Sequence, residues 1–192
     1  MKTLTIVGVG ALGSHAGLFL RSLKNVNIRV IDFDRVEQKN VASQFHSLKT
    51  KGRYKVDSFK QNMDFLFGIR VEPRFVRLTK DNVRELLVDS DLIIDCLDNG
   101  ESRTIVKNFA EEAKIPCVHG AIDANGTCGM ISWNEKFQVD FESTEGEATC
   151  EDGQHLPFIA QVSAALAQSV QSFLEQGKKL GFMVYPTNSI AI

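Results

Sequence analysis

The 192 residues include only four cysteines, Cys96, Cys117, Cys128 and Cys150, and no pair has Cys-x-x-Cys spacing. A four-thiolate zinc site is therefore not expected. The four histidines, His15, His46, His119 and His155, are scattered without the i, i+4 spacing of metal ligands, and they read as structural or surface residues. The formal net charge is only −2, so no global attraction to DNA or an anionic membrane is implied. No apolar run reaches the ~18 residues that span a bilayer. No signal-peptide pattern opens the chain, and a cytoplasmic protein is expected. There is no internal repeat, no low-complexity tract and no sign of a second domain, so residues 1–192 read as one domain. A hydrophobic content of 43% is enough for a globular core. The thirteen phenylalanines are spread over all segments and read as core. Cys96, Cys117 and Cys128 lie in apolar segments and read as small core residues.

What is present is concentrated near the start. Lys2 to Val7 reads as a strand and Ala11 to Lys24 as a helix with Leu12, Ala16, Phe19, Leu20 and Leu23 on one face. Between them lies Gly8-Val9-Gly10-Ala11-Leu12-Gly13, a Gly-x-Gly-x-x-Gly pattern. Gly8 permits the tight turn, Gly10 lets a ligand approach the backbone, and Gly13 lets helix and strand pack closely. The helix N-terminus then offers free N–H groups to an anion. A second strand, Asn27 to Asp32, ends in a carboxylate 19 residues after Gly13. A nucleotide-binding crossover places a ribose-binding acid at that point, and its charge disfavours a 2′-phosphate.

The polar stretch 33–45 is expected to be a loop with a short helical turn. A helix from Val56 to Leu66 follows, with Lys55 at its entry. Strands are expected at 69–76, 91–96 and 116–120, and helices at 81–88 and 102–113. This alternation predicts an α/β, Rossmann-like doubly wound sheet, mostly parallel. Its C-terminal strand edge would gather the glycine loop, Asp32 and Asp98, and ligands bind at such edges. From Gly126 the pattern changes to short strands at 127–133 and 137–139, a C-terminal antiparallel extension. Residues 140–154 hold six acids and no lysine or arginine, which predicts a mobile surface loop around Cys150. Pro157 opens a helix to about Leu174, whose Ala and Ser residues suit close packing across a dimer interface. Residues 181–192 read as a hairpin.

Taken together, these residues resemble the ThiF/MoeB/HesA family, the bacterial relatives of ubiquitin-activating enzymes. The shared pattern is the glycine loop, Asp32-Phe33-Asp34-Arg35-Val36, Asn40, Gln44, Lys55 and Asp95-Cys96-Leu97-Asp98-Asn99, in order over roughly residues 4 to 175. The resemblance implies an ATP- and Mg2+-dependent adenylyltransferase that activates the C-terminal carboxylate of a ubiquitin-like or sulfur-carrier protein, acting as a homodimer. It implies that Gly8, Gly10, Ala11, Gly13, Asp32, Asp34, Asn40, Gln44 and Asn99 bind the nucleotide. Lys55 would neutralise phosphate charge and Asp98 would bind Mg2+. Cys150 falls where some members carry a cysteine that forms a covalent adduct with the carrier. Its acidic neighbours would raise its pKa, and an incidental loop cysteine is the competing reading.

Three departures stand out. Ser43 occupies the position of a family arginine, the N-terminal arginine-bearing helix is not found before Lys2, and the paired Cys-x-x-Cys motifs are missing. These imply a reduced or inactive member, or a site completed by another protein. The alternatives are a non-catalytic partner subunit and a NAD-binding Rossmann protein, the latter supported only by the glycine loop and Asp32.

Overall fold

Short apolar strands alternating with helices bury both faces only when the strands lie parallel between two helical layers. The computed structural model, which describes residues 1–123, 125–138, 153, 155–186 and 189–191, takes this form. Its strands are β1 (Lys2–Val7), β2 (Val26–Ile31), β3 (Val71–Arg74), β4 (Leu92–Asp95), β5 (Cys117–Ile122), β6 (Gly129–Trp133), β7 (Phe182–Val184) and β8 (Ser189–Ala191). Its helices are α1 (Ala11–Phe19), α2 (Lys55–Phe67), α3 (Val83–Leu87), α4 (Gly100–Ala113) and α5 (Leu156–Gln176). The strands form one sheet in the order β3-β2-β1-β4-β5-β6-β7-β8. The first five are mutually parallel, and β6, β7 and β8 are antiparallel to their neighbours.

Strand alternation divides the core. Leu4, Ile6, Ile28, Val30, Leu92 and Ile94 face α1, α2 and α5. Val7, Ile31 and Ile93 face the opposite layer, which Leu87, Val106 and Phe109 supply. Close layer packing requires small residues. A Cβ on Gly17 of α1 would lie 2.6 Å from the buried Phe59 ring of α2. Helix α5 begins at a proline and ends at Gly177, whose φ of 69° only glycine adopts freely. Its Ser163 hydroxyl donates to the Leu12 carbonyl at 3.2 Å. Of the Ala and Ser residues expected to suit a dimer interface, Ser163, Ala167, Ser169 and Ser172 are buried within this same chain.

Several expected boundaries move. The first helix is α-helical only to Phe19, because a 3₁₀ turn at Leu20–Ser22 and a left-handed Asn25 (φ 60°) steer the chain into β2. Strand 69–76 shortens to the four residues that pair with Ile28–Ile31 of β2. The helix expected at 81–88 keeps only Val83–Leu87, with Leu86 half-buried. Thr127 and Cys128 do not extend β6, because the Asp123 carboxylate accepts both of their backbone N–H groups, at 2.7 and 2.8 Å. Phe137 and Gln138 form no strand: Phe137 N–H donates back to the Trp133 carbonyl at 3.0 Å. Val139 lies outside the described residues. Phenylalanine is not uniformly core either, since Phe65 is 85% exposed and Phe75 61%. Cys117 is buried as expected, but Cys96 and Cys128 are only half-buried.

Candidate functional site

The parallel register aligns the C-terminal strand ends, pairing Val7 with both Ile31 and Asp95. The glycine loop leaves this edge. Gly8 has φ +89°, and a Cβ there would lie 2.9 Å from the Cys96 carbonyl oxygen. A Cβ on Gly13 would lie 1.9 Å from the Gly8 carbonyl oxygen. Packing alone requires both of these glycines. Gly10 differs: nothing lies within 4 Å of its Cβ position. The space above Gly10 and the N-terminus of α1 is open, with no side chain capping the helix. Gly10 leaves room for an anionic group to meet the first N–H groups of α1.

Asp32 follows β2 directly. Its Oδ2 accepts the Val9 N–H and its Oδ1 accepts the Asp34 N–H, both at 2.8 Å. Burial raises this carboxyl above its ordinary value, although Lys55 and the two amides oppose the change. The carbonyl of Val9 accepts Nε2–H of the buried His46 at 2.9 Å. Val9 is therefore held through both its backbone polar groups. Lys55, the first residue of α2, donates its backbone N–H to the Asp34 carbonyl at 2.8 Å. Its Nζ lies 3.0 Å from Asp34 Oδ2, with the Lys55 side chain 10% exposed and that of Asp34 48%. Glycine loop, Asp32, Asp34 and Lys55 thus form one connected group.

The second wall comes from the chain after β4. Cys96 packs on Gly8 and Gly13, and the turn 97–99 continues to α4. Asn99 caps α4, its Oδ1 accepting the Ser102 N–H at 2.9 Å. Asp98 is exposed. Among the described residues, no group of three or more His, Cys, Asp or Glu side chains could hold a metal by itself. A lone carboxylate fits Mg2+, which takes one or two carboxylates together with phosphate oxygens and water.

The remaining sequence candidates among the described residues lie on the segment 40–44, whose Ser43 carbonyl is 3.1 Å from His15 Nε2 of α1. Oδ1 of the buried Asn40 accepts the Glu37 N–H at 2.8 Å, closing a 3₁₀ turn rather than facing the loop. Gln44 and Ser43 line a cleft of about 530 Å³ with His15, His46, Asn62 and Leu66. Ser43 Oγ and Gln44 Oε1 are buried there and have no hydrogen-bond partner among the described residues. Arg35 stacks over Tyr54 at 4.0 Å and donates to the Gly52 carbonyl, and Arg53 donates to Gln61. Gln61 lines the same cleft as Ser43. Cys150 lies outside the described residues. Sequence reasoning included Asp95 in the family pattern but did not single out His46 as a support of the loop, nor the buried Arg103 and His119. The available signal was a charged or polar residue within an apolar strand, since such groups must find partners when buried.

A model of the ThiF family matches residues 2–187. The chain is 29% identical over 175 residues to the adenylyltransferase and sulfurtransferase UBA4 of Meyerozyma guilliermondii, covering 86% of this chain and 41% of that protein. It is 34% identical over 118 residues to the molybdopterin-synthase adenylyltransferase of Escherichia coli, covering 60% of this chain and 47% of that one. The chain thus spans less than half the length of these curated relatives. In three dimensions it is similar to Escherichia coli MccB solved with ATP, with a TM-score of 0.81 at 14% identity, covering 100% of this chain and 63% of that one.

Proposed function

Because the chain belongs to the ThiF family, we propose that it binds ATP at the glycine loop and transfers the adenylyl group to a carboxylate. The observation that carries this reading is Lys55: its ammonium is nearly buried, yet its partner Asp34 is half-exposed at the mouth of the site. A cation so placed can meet a phosphate without crossing solvent. Asp32 holds the ribose, Gly10 and Ala11 form the surface against the phosphates, and Gly8 and Gly13 shape the turn that presents it. Asp98 is the residue that would hold Mg2+, which supplies charge neutralisation on the phosphates when bound.

A carboxylate oxygen of the substrate attacks the α-phosphorus. The bond from that phosphorus to the bridging oxygen breaks, and the electron pair leaves with pyrophosphate. No general acid or base is required. Lys55 offsets the charge that develops on the phosphates, and the loop fixes the line of attack. The substrate class we propose is the C-terminal carboxylate of a ubiquitin-like or sulfur-carrier protein, in keeping with relatives named for adenylyl and sulfur transfer. Cys150 is the candidate acceptor for the activated acyl group, its thiolate displacing AMP.

A second reading rests on Ser43. It is fully buried, while Arg35 is engaged with Tyr54 and Gly52 and Arg53 with Gln61. A second chain, in a homodimer or with a related subunit, would then supply the missing guanidinium. Pyrophosphate exchange with Mg2+ and carrier proteins ending in Gly-Gly separates the readings. Exchange by the isolated protein that Lys55→Ala abolishes supports the enzyme. ATP binding without exchange, restored by an arginine-bearing partner, supports the subunit.

A further inference from the structure

A buried polar cluster lies behind the turn that carries Asp98, and the chemistry above does not use it. Asp95 ends β4 and His119 lies within β5, and neither has exposed surface. His119 Nδ1–H donates to Asp95 Oδ2 at 2.8 Å. Its Nε2 lies 2.8 Å from Asn134 Oδ1. The Asn134 amide is oriented by its Nδ2–H, which donates to the Lys107 carbonyl at 3.3 Å. Reversing the amide would set two carbonyl oxygens against each other. His119 therefore bridges Asp95 and Asn134 through its two ring nitrogens. Phe137 covers the ring at 3.8 Å between centroids, with the planes 7° apart. The Cys117 thiol is a weaker neighbour of Nε2, at 3.4 Å. Arg103 Nε of α4 lies 3.8 Å from Asp95 Oδ2. Burial alone would push the Asp95 carboxyl up, but Arg103 and His119 outweigh it and hold that carboxyl below its ordinary value.

The remaining contacts converge on one residue. Leu97 N–H donates to Asp95 Oδ1 at 3.0 Å, and the Leu97 carbonyl accepts Arg103 Nε–H at 2.6 Å. Arg103 also donates through Nη2 to the Gly120 carbonyl, which ties the turn to β5. Its backbone N–H donates to the Asn99 carbonyl at 3.2 Å. The residues on either side of Asp98 are thus held by one buried group of charges. Apolar residues of similar volume are often as stable as a buried ionic cluster, so fold stability alone does not account for this one.

We propose that Asp95, His119 and Arg103 are positioning residues that fix the turn 97–99 and so aim the Asp98 carboxylate at its metal. This rests on the proposed role of Asp98. The test uses His119→Gln and Arg103→Lys, the second keeping the charge but not the two-carbonyl reach. Three quantities are read: amide exchange of Leu97 in the free protein, ATP affinity without metal, and the Mg2+ concentration for half-maximal pyrophosphate exchange. Loss of the clamp should speed Leu97 exchange at least tenfold and leave metal-free ATP affinity within twofold. The Mg2+ requirement should rise by about ten- to a hundredfold, as for other groups that orient a metal ligand. Unchanged Leu97 exchange, or lost activity at an unchanged Mg2+ requirement, overturns the proposal. If the unaltered protein fails to bind ATP at all, the adenylation reading falls instead, and Leu97 exchange still decides whether the clamp operates.

Discussion

Single atoms separate the three glycines of the loop. A methyl group at Gly13 would overlap the Gly8 carbonyl, whereas one at Gly10 meets open space. Gly13→Ala should therefore lower the melting temperature sharply or prevent folding. Gly10→Ala should melt near the parent protein yet bind ATP more weakly, as thermal unfolding and calorimetry would read. His46 gives a second residue-scale prediction. Burial lowers its pKa to about 4 from 6.5, and its Nε2–H serves the Val9 carbonyl. Because the folded value lies below the free one, the stability gained from neutral His46 is complete above pH 6.5. It is lost as the pH falls through the window from 6.5 to about 4. Linkage puts the loss at about 3 kcal/mol, to be read from denaturant titrations across that window. His46→Gln should flatten that slope. Asp32 was legible as a candidate because its spacing follows a known crossover, and Asp34 and Lys55 because they match the family pattern. His46 was not, because nothing local marks a histidine that supports a carbonyl 37 residues away.

At the scale of elements, patterning identified the five α-helices and the strands of the described residues, and beyond shifted boundaries the errors fall where turn contacts replace the ladder. Asp123 takes the N–H groups of Thr127 and Cys128, so β6 starts at Gly129. Phe137 turns back to cover His119 instead of pairing as a strand. Neither diversion has a periodic signal. Contact between α5 and β6 yields its own prediction. A Cβ at Gly129 would lie 2.4 Å from Val162 Cγ2. Gly129→Ala should cost about 1–3 kcal/mol by overpacking. Adding Val162→Ala should recover part of that cost, and a double-mutant cycle would measure the coupling. Additive losses in the two variants would show that strand and helix separate easily at this point. At the start of α4, Asn99→Ala should lose about 1 kcal/mol by removing the cap, while Asn99→Ser should lose little.

Across the whole molecule, the doubly wound order was legible because strands and helices alternate. The position of Asn40 and Gln44 was not, since it depends on how a polar loop folds over α1. A protein that binds MgATP in its folded state alone should gain about 2.7 kcal/mol at a hundred times the dissociation constant. Thermal unfolding with and without MgATP checks this, and no shift at any attainable concentration would refute the binding proposal. The strand order also has a consequence for biosynthesis. β1 is made first and lies between β2 and β4. Its neighbour β4 emerges only after α2, β3 and α3 have been made. Ribosomes add roughly 5–20 residues per second, so the nascent chain carries an apolar β1 with one flank bare for several seconds. During that interval the glycine loop lacks the Cys96 wall against which Gly8 and Gly13 pack, so the nucleotide cannot yet meet a finished site.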